Sequence, residues 1–128
     1  MSLTDIAHEI LSQKFNSIRY GIDATCGNGY DALFLSRLCD ENGIIYCFDI
    51  QEDGLKNTAD ILDKYNLLNK VKPIKSGHES IRKYVDHQVD VIMFNLGYLP
   101  NSNRSITTCY DTTIIALDSS KYSVIMAL

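Results

Sequence analysis

Several features that would mark the chain as secreted, membrane-bound or metal-binding are missing from its sequence. Its four cysteines include no Cys-x-x-Cys pair and no grouping with histidine at zinc-ligand spacing. We therefore predict no metal site and free thiols, as is typical of a reducing cytoplasm. Residues 1–15 are polar and amphipathic, unlike a signal peptide. No apolar run reaches the roughly 20 residues of a membrane span, so we expect a cytoplasmic protein with no membrane partner.

An excess of positive charge is absent as well. The formal net charge is −4, whereas a protein that binds long nucleic acid by charge alone is usually basic. Any RNA partner must therefore meet a local basic patch, or basic groups that lie outside this chain. The 128 residues suit one domain over residues 1–128.

Segments typical of strands and helices alternate along the chain. The pattern predicts strands at 19–23, 44–49, 71–74, 89–95 and 123–128, and helices at 4–15, 30–39, 51–65, 79–85 and 107–119. Such alternation implies right-handed crossovers and a mostly parallel, doubly wound α/β sheet of the Rossmann type. The apolar strand 123–128 carries no charge. We expect it to form an exposed sheet edge that recruits a second copy, which would give a homodimer.

A glycine-rich loop follows the first predicted strand, where ligands bind parallel sheets. Gly27, Gly29 and Ala32 satisfy the pattern G-x-G-x-x-G/A, and Asp49 ends the next strand. The pattern alone does not separate NAD from S-adenosylmethionine. Asp23 would repel a pyrophosphate, but it suits a ligand with an ammonium and a cationic sulfur. Asp49 can accept hydrogen bonds from both ribose hydroxyls. Alternatively, Asp23 and Asp49 only cap the adjacent helices.

The predicted S-adenosylmethionine site includes further residues around these strand ends. His78 and Glu79 follow the third strand, where they either lie beside the adenine or cap the next helix. We expect His8 and His87 to be structural or surface groups. The full predicted cofactor set is Asp23, Thr25, Gly27, Asn28, Gly29, Asp31, Asp49, Gln51, His78 and Glu79.

A polar loop follows the buried fourth strand and is predicted to face the acceptor. An amide at the end of an apolar strand is costly unless it is paired, so Asn95 and the Leu96 carbonyl are expected to accept hydrogen bonds from a substrate amine. Tyr98 is expected to stack on a base. Asn95, Leu96 and Tyr98 form the predicted catalytic set. The alternative is a turn in which Asn95 bonds its own backbone and Tyr98 packs on the core.

Several motifs together resemble one family over essentially the whole chain. They read Asp23-Ala24-Thr25, Gly27-Asn28-Gly29 with Asp31, Phe48-Asp49-Ile50-Gln51, Met93-Phe94-Asn95-Leu96-Gly97-Tyr98-Leu99-Pro100, Ile106-Thr107-Thr108 and Thr112-Thr113-Ile114 with Ala116-Leu117. This pattern is similar to the YtqB-type rRNA methylase family, which includes the bacterial tRNA methyltransferase MnmM. The resemblance implies a class I methyltransferase fold and S-adenosylmethionine as donor. In MnmM it implies methylation of the 5-aminomethyl nitrogen of a modified wobble uridine in tRNA.

The chain departs from this family in two places. Asn101-Ser102-Asn103-Arg104 stands where the family usually has Gly-Gly-Asp-Lys, and the family continues past the fifth strand. We therefore expect the C-terminal strands of the fold to be missing. Two alternatives to an RNA methyltransferase stay open, a non-catalytic remnant that binds S-adenosylmethionine and an NAD-type oxidoreductase. No general base stands out, and no cysteine lies within residues 95–100 to support a covalent route.

Overall fold

The computed structural model describes residues 3–95, 115–118 and 123–127. Its helices are α1 (Leu3–Lys14), α2 (Tyr30–Leu38), α3 (Glu52–Lys64) and the short α4 (Ile81–Tyr84), with 3₁₀ turns at Leu68–Lys70 and His78–Ser80. Its strands are β1 (Ile18–Asp23), β2 (Cys39–Asp49), β3 (Val71–Lys75), β4 (Val91–Asn95), β5 (Ile115–Asp118) and β6 (Ser123–Ala127). Within these ranges, no helix is long and apolar enough to cross a membrane.

All six strands form one sheet in the order β3-β2-β1-β4-β6-β5. Every neighbouring pair is parallel except β5 with β6. The strand order reverses beside β1, because β2 and β4 lie on either side of it. The predicted mostly parallel, doubly wound α/β sheet is therefore confirmed. The carboxyl end of β1 lies at the switch point where such sheets bind ligands.

The two faces of the sheet bury separate apolar clusters. One cluster joins α1, α2 and α3 to the sheet through residues such as Ala7, Leu35 and Leu62. The other covers the opposite face and includes Phe48 and Val85. Because both faces are covered, residues 91–94 of β4 and residues 44–48 of β2 read as continuous apolar runs rather than as alternating ones.

The C-terminal part of the sheet corrects two predictions. The helix predicted over 107–119 is wrong for Ile115–Asp118, which form β5 antiparallel to β6; residues 107–114 lie outside the described part of the chain. A short apolar run fits a strand and a helix equally well by periodicity, and pairing with β6 favours the strand. β6 lies between β4 and β5, so it is not the edge strand that we expected. An exposed β6 edge therefore no longer supports the predicted homodimer, which stays a prediction.

Two boundaries also shifted. β2 begins at Cys39 instead of residue 44, with an irregular register opposite β1 between Ile18 and Tyr20. Gly43 lets β2 approach the β1 backbone closely here, since a Cβ at this position would lie only 3.0 Å from the Arg19 carbonyl oxygen. The helix predicted over 79–85 is a 3₁₀ turn followed by one turn of α4.

Candidate functional site

The chain stays bonded to both neighbouring strands as it leaves β1. The Ala24 N–H donates to the Met93 carbonyl in β4 at 2.9 Å, and the Cys26 N–H donates to the Phe48 carbonyl in β2 at 2.9 Å. These two bonds fix residues 24–26 over the carboxyl ends of the central strands. The glycine loop that follows therefore starts from a defined position.

Two glycines with positive φ turn the loop into α2. Gly27 has φ 53° and Gly29 has φ 85°, which is backbone that glycine adopts without strain. The Gly29 N–H closes a turn on the Cys26 carbonyl at 2.9 Å. A Cβ at Gly29 would lie 2.8 Å from Cγ2 of Ile61 in α3, so the loop packs directly on that helix. Asn28 Oδ1 accepts the Tyr30 N–H at 2.9 Å.

Asp49, at the end of β2, ties the glycine loop to the start of α3. Its Oδ2 accepts the Gly27 N–H at 3.0 Å, and its Oδ1 accepts the Gln51 N–H at 2.9 Å. A side chain at Gly54 would collide with this carboxylate. Since each carboxylate oxygen carries two acceptor positions, the two bonds leave acceptor capacity at both oxygens. Asp49 thus orders the loop and can still accept two hydroxyl donors.

Asp23 is a buried carboxylate with an unsatisfied oxygen. Its side chain is fully buried, and Oδ1 accepts the Thr25 N–H at 3.1 Å. Among the described residues, Oδ2 has no hydrogen-bond partner. Burial, followed by the negative charges of Asp31 and Asp49, raises the pKa of Asp23 to about 8. A cationic partner would satisfy this oxygen and favour the ionised form of Asp23, whereas a pyrophosphate would not, so the residues fit the ammonium of S-adenosylmethionine better than NAD.

Asp31 pairs with a histidine that the sequence analysis assigned to structure or surface. Asp31 Oδ1 lies 2.7 Å from His8 Nε2, and the His8 ring stacks on Phe34 at 4.0 Å. Asp31 is buried in the first turn of α2. His8, Asn28 and Tyr30 line a cavity of about 500 Å³ between α1 and α2. The motif pointed to Asp31, but nothing in the sequence predicted that α1 would bring His8 to it.

The remaining predicted residues lie either beside the glycine loop or after β3. Thr25 and Gln51 contribute backbone N–H groups to Asp23 and Asp49. His78 packs edge-on against Phe94 with ring centroids 5.5 Å apart. The Glu79 carboxylate folds back against Gly77.

Of the predicted catalytic set, the structure describes only the backbone of Asn95. The Asn95 backbone ends β4 opposite Ala127 of β6. Leu96 and Tyr98 lie outside the described residues, so their predicted roles stay predictions.

Two thiols adjoin Asp23. A carboxylate oxygen of Asp23 and the sulfurs of Cys26 and Cys47 all lie within 4.8 Å of one another, and all three residues are buried. Hydrogen bonding with Cys26, together with burial, raises the pKa of the Cys47 thiol well above its usual value. Sequence spacing does not predict this cluster, because sheet pairing brings Cys47 opposite Asp23.

Comparison with known sequences identifies the family. The sequence profile described as "Putative rRNA methylase" matches residues 45–126, which is more than half of the chain. The chain belongs to this family. It is 34% identical over 128 residues to the Arabidopsis thaliana protein named tRNA (mnm(5)s(2)U34)-methyltransferase, chloroplastic, covering 92% of this chain and 47% of that protein.

Solved structures agree with this assignment. A family member from Clostridium thermocellum, also named as an rRNA methylase, has a TM-score of 0.72 and 40% identity, covering 82% of this chain and 56% of that chain. The methyltransferase SMU.1697c of Streptococcus mutans, solved with SAH, has a TM-score of 0.67 and 39% identity, covering 80% and 56%. These likenesses confirm the class I methyltransferase fold. The chain spans about half the length of these relatives.

Proposed function

We propose that this chain acts as an S-adenosylmethionine-dependent RNA methyltransferase. The observation that carries the proposal is the buried Asp23 carboxylate, whose Oδ2 has no partner among the described residues. Asp23 would bind the ammonium of the donor, and Asp49 would accept the ribose hydroxyls. Gly27 and Gly29 would let the backbone approach the ligand without a Cβ in the way. Thr25, Asn28, Asp31, Gln51, His78 and Glu79 complete the proposed site.

The proposed acceptor is the aminomethyl nitrogen of a modified wobble uridine in tRNA. Support comes from the Arabidopsis relative, whose name states a tRNA U34 methyltransferase. S-adenosylmethionine supplies a methyl group that its sulfonium has already activated for in-line displacement. The protein then contributes alignment and exclusion of water. Asn95 and the Leu96 carbonyl would orient the amine, and Tyr98 would stack on the base.

The amine must lose a proton before it attacks. A free alkylamine has a pKa of about 10.4, as in lysine, and burial in the site would lower it. The described residues include one histidine–carboxylate pair beside the glycine loop, His8 with Asp31. Desolvation by the assembled site remains the simplest source of the neutral amine.

The decisive experiment is methylation of tRNA isolated from cells that lack the modification. We expect methyl incorporation at the wobble uridine, and none with Asn95→Ala. A chain that binds S-adenosylhomocysteine but transfers no methyl group would support the non-catalytic remnant instead. We propose a cytoplasmic location, since the described cysteines Cys26, Cys39 and Cys47 are all free thiols.

A further inference from the structure

The cluster of Asp23, Cys26 and Cys47 has the composition of a metal site. Thiolate and carboxylate are both zinc ligands, with bonds of about 2.3 Å to sulfur and about 2.0–2.2 Å to oxygen. Tetrahedral coordination therefore places ligand atoms roughly 3.5–3.8 Å apart. The three atoms already lie within 4.8 Å of one another, so movements of about 1 Å would complete three ligand positions.

The unsatisfied oxygen of Asp23 also calls for a cationic partner, and it is the oxygen that the proposed function assigns to the donor ammonium. Most buried polar atoms in folded proteins have a hydrogen-bond partner, and an exception calls for an explanation. Asp23 Oδ2 has none among the described residues. A cation held jointly with the two thiols would satisfy it.

We propose that Asp23, Cys26 and Cys47 bind a thiophilic divalent cation such as Zn²⁺. Each thiol loses its proton to solvent as its sulfur coordinates the ion, and no electron transfer is involved. The fourth position stays open for water. This proposal replaces our prediction of no metal site, which rested on sequence spacing alone.

The position of the cluster also predicts an effect on the donor site. Cys26 begins the glycine loop, and its N–H and carbonyl hold the loop to Phe48 and Gly29. A metal ion on Asp23 would occupy the carboxylate that we assign to the donor ammonium. Metal and S-adenosylhomocysteine should therefore compete. This second step rests on the proposed function, whereas the metal site itself does not.

The test uses Cd²⁺ as a spectroscopic probe for Zn²⁺, with the 128-residue chain carrying Cys39→Ser and Cys109→Ser. The chain has four cysteines, so this background keeps only Cys26 and Cys47. We expect one Cd²⁺ per chain with an ultraviolet thiolate-to-metal charge-transfer band. Cys26→Ser or Cys47→Ala should weaken binding by more than the 10- to 100-fold that loss of an outer-shell partner costs.

Asp23→Asn tests the third ligand while both thiols remain. We expect weaker Cd²⁺ binding, with the exposed Asp53→Asn on α3 as the matched control that binds normally. Thermal unfolding of each variant checks that it folds. Absence of the charge-transfer band at one equivalent, or equal Cd²⁺ affinity in Asp23→Asn and Asp53→Asn, overturns the three-ligand site. Cd²⁺ binding that saturating S-adenosylhomocysteine leaves unchanged, in a chain that binds both, overturns the competition alone.

Discussion

Asp23→Asn should make the folded chain less sensitive to pH while removing its affinity for the donor. Burial holds the native carboxylate protonated up to a pKa of about 8, whereas an unfolded aspartate has a pKa of about 3.9. Between these values the native state binds more protons than the unfolded state. The free energy of unfolding therefore falls as pH rises, by about 1.4 kcal/mol for each pH unit. From pH 5 to pH 7 the loss is about 2.7 kcal/mol.

The neutral asparagine keeps the size of the side chain and has no proton to lose. We expect wild type to lose about 2.7 kcal/mol more unfolding free energy than Asp23→Asn when the pH rises from 5 to 7. Urea unfolding of both proteins at the two pH values measures this difference and cancels the contributions of other groups. Equal pH slopes in the two proteins would mean that native Asp23 is already ionised at pH 5, and that the account of its unsatisfied oxygen is wrong.

The same ionisation predicts how ligand affinity varies with pH. The α-amino group of S-adenosylhomocysteine stays an ammonium below pH 7, and it needs the ionised form of Asp23. Its affinity for wild type should rise by up to about tenfold for each pH unit between pH 5.5 and pH 7. Asp23→Asn should bind weakly at every pH. If the affinity of wild type for S-adenosylhomocysteine does not change with pH, the ammonium does not bind Asp23.

Four further substitutions test other parts of the site. Asp49→Ala should weaken binding of S-adenosylhomocysteine by roughly 1.5–3 kcal/mol, measured by calorimetry, whereas the exposed Asp53→Ala on α3 should not; equal affinity in both would remove Asp49 from the ribose site. Asn95→Ala should lose methyl transfer to tRNA but keep binding of S-adenosylhomocysteine, and loss of both would assign Asn95 to the donor. Gly29→Ala combines φ 85° with a contact of 2.8 Å to Ile61, so it should lower the free energy of unfolding by roughly 1–3 kcal/mol. Gly27→Ala should cost less, because its Cβ would lie 3.9 Å from the nearest atom; the reverse order in urea unfolding would contradict the packing of the loop on α3.

The parallel part of the fold was predictable because burial on both faces leaves a strong signal. Val91, Ile92 and Met93 are all buried, and the run of apolar residues that they form is visible in the sequence. The same reasoning failed for β5, since Ile115–Asp118 is too short to show a period of 2 or 3.6. Its strand conformation comes from pairing with β6, a contact that local sequence does not encode.

The candidate site divides in the same way. Glycine spacing and strand ends pointed to Gly27, Gly29 and Asp49, because a glycine-rich loop and the end of a strand both leave a signal in the local sequence. His8 and Cys47 were not predicted as site residues because their neighbours are distant in sequence. Asp31 lies 23 positions from His8, and Asp23, which pairs opposite Cys47 in the sheet, lies 24 positions from it. A local sequence motif does not predict side-chain contacts between residues that are this far apart in the chain.

Calorimetric titration of the wild-type chain with S-adenosylhomocysteine, and separately with NADH, tests the central claim most directly. We expect one S-adenosylhomocysteine bound per chain, with the affinity lost in Asp23→Asn, and no binding of NADH. Binding of NADH in preference to S-adenosylhomocysteine, or binding of S-adenosylhomocysteine that Asp23→Asn leaves intact, would contradict it.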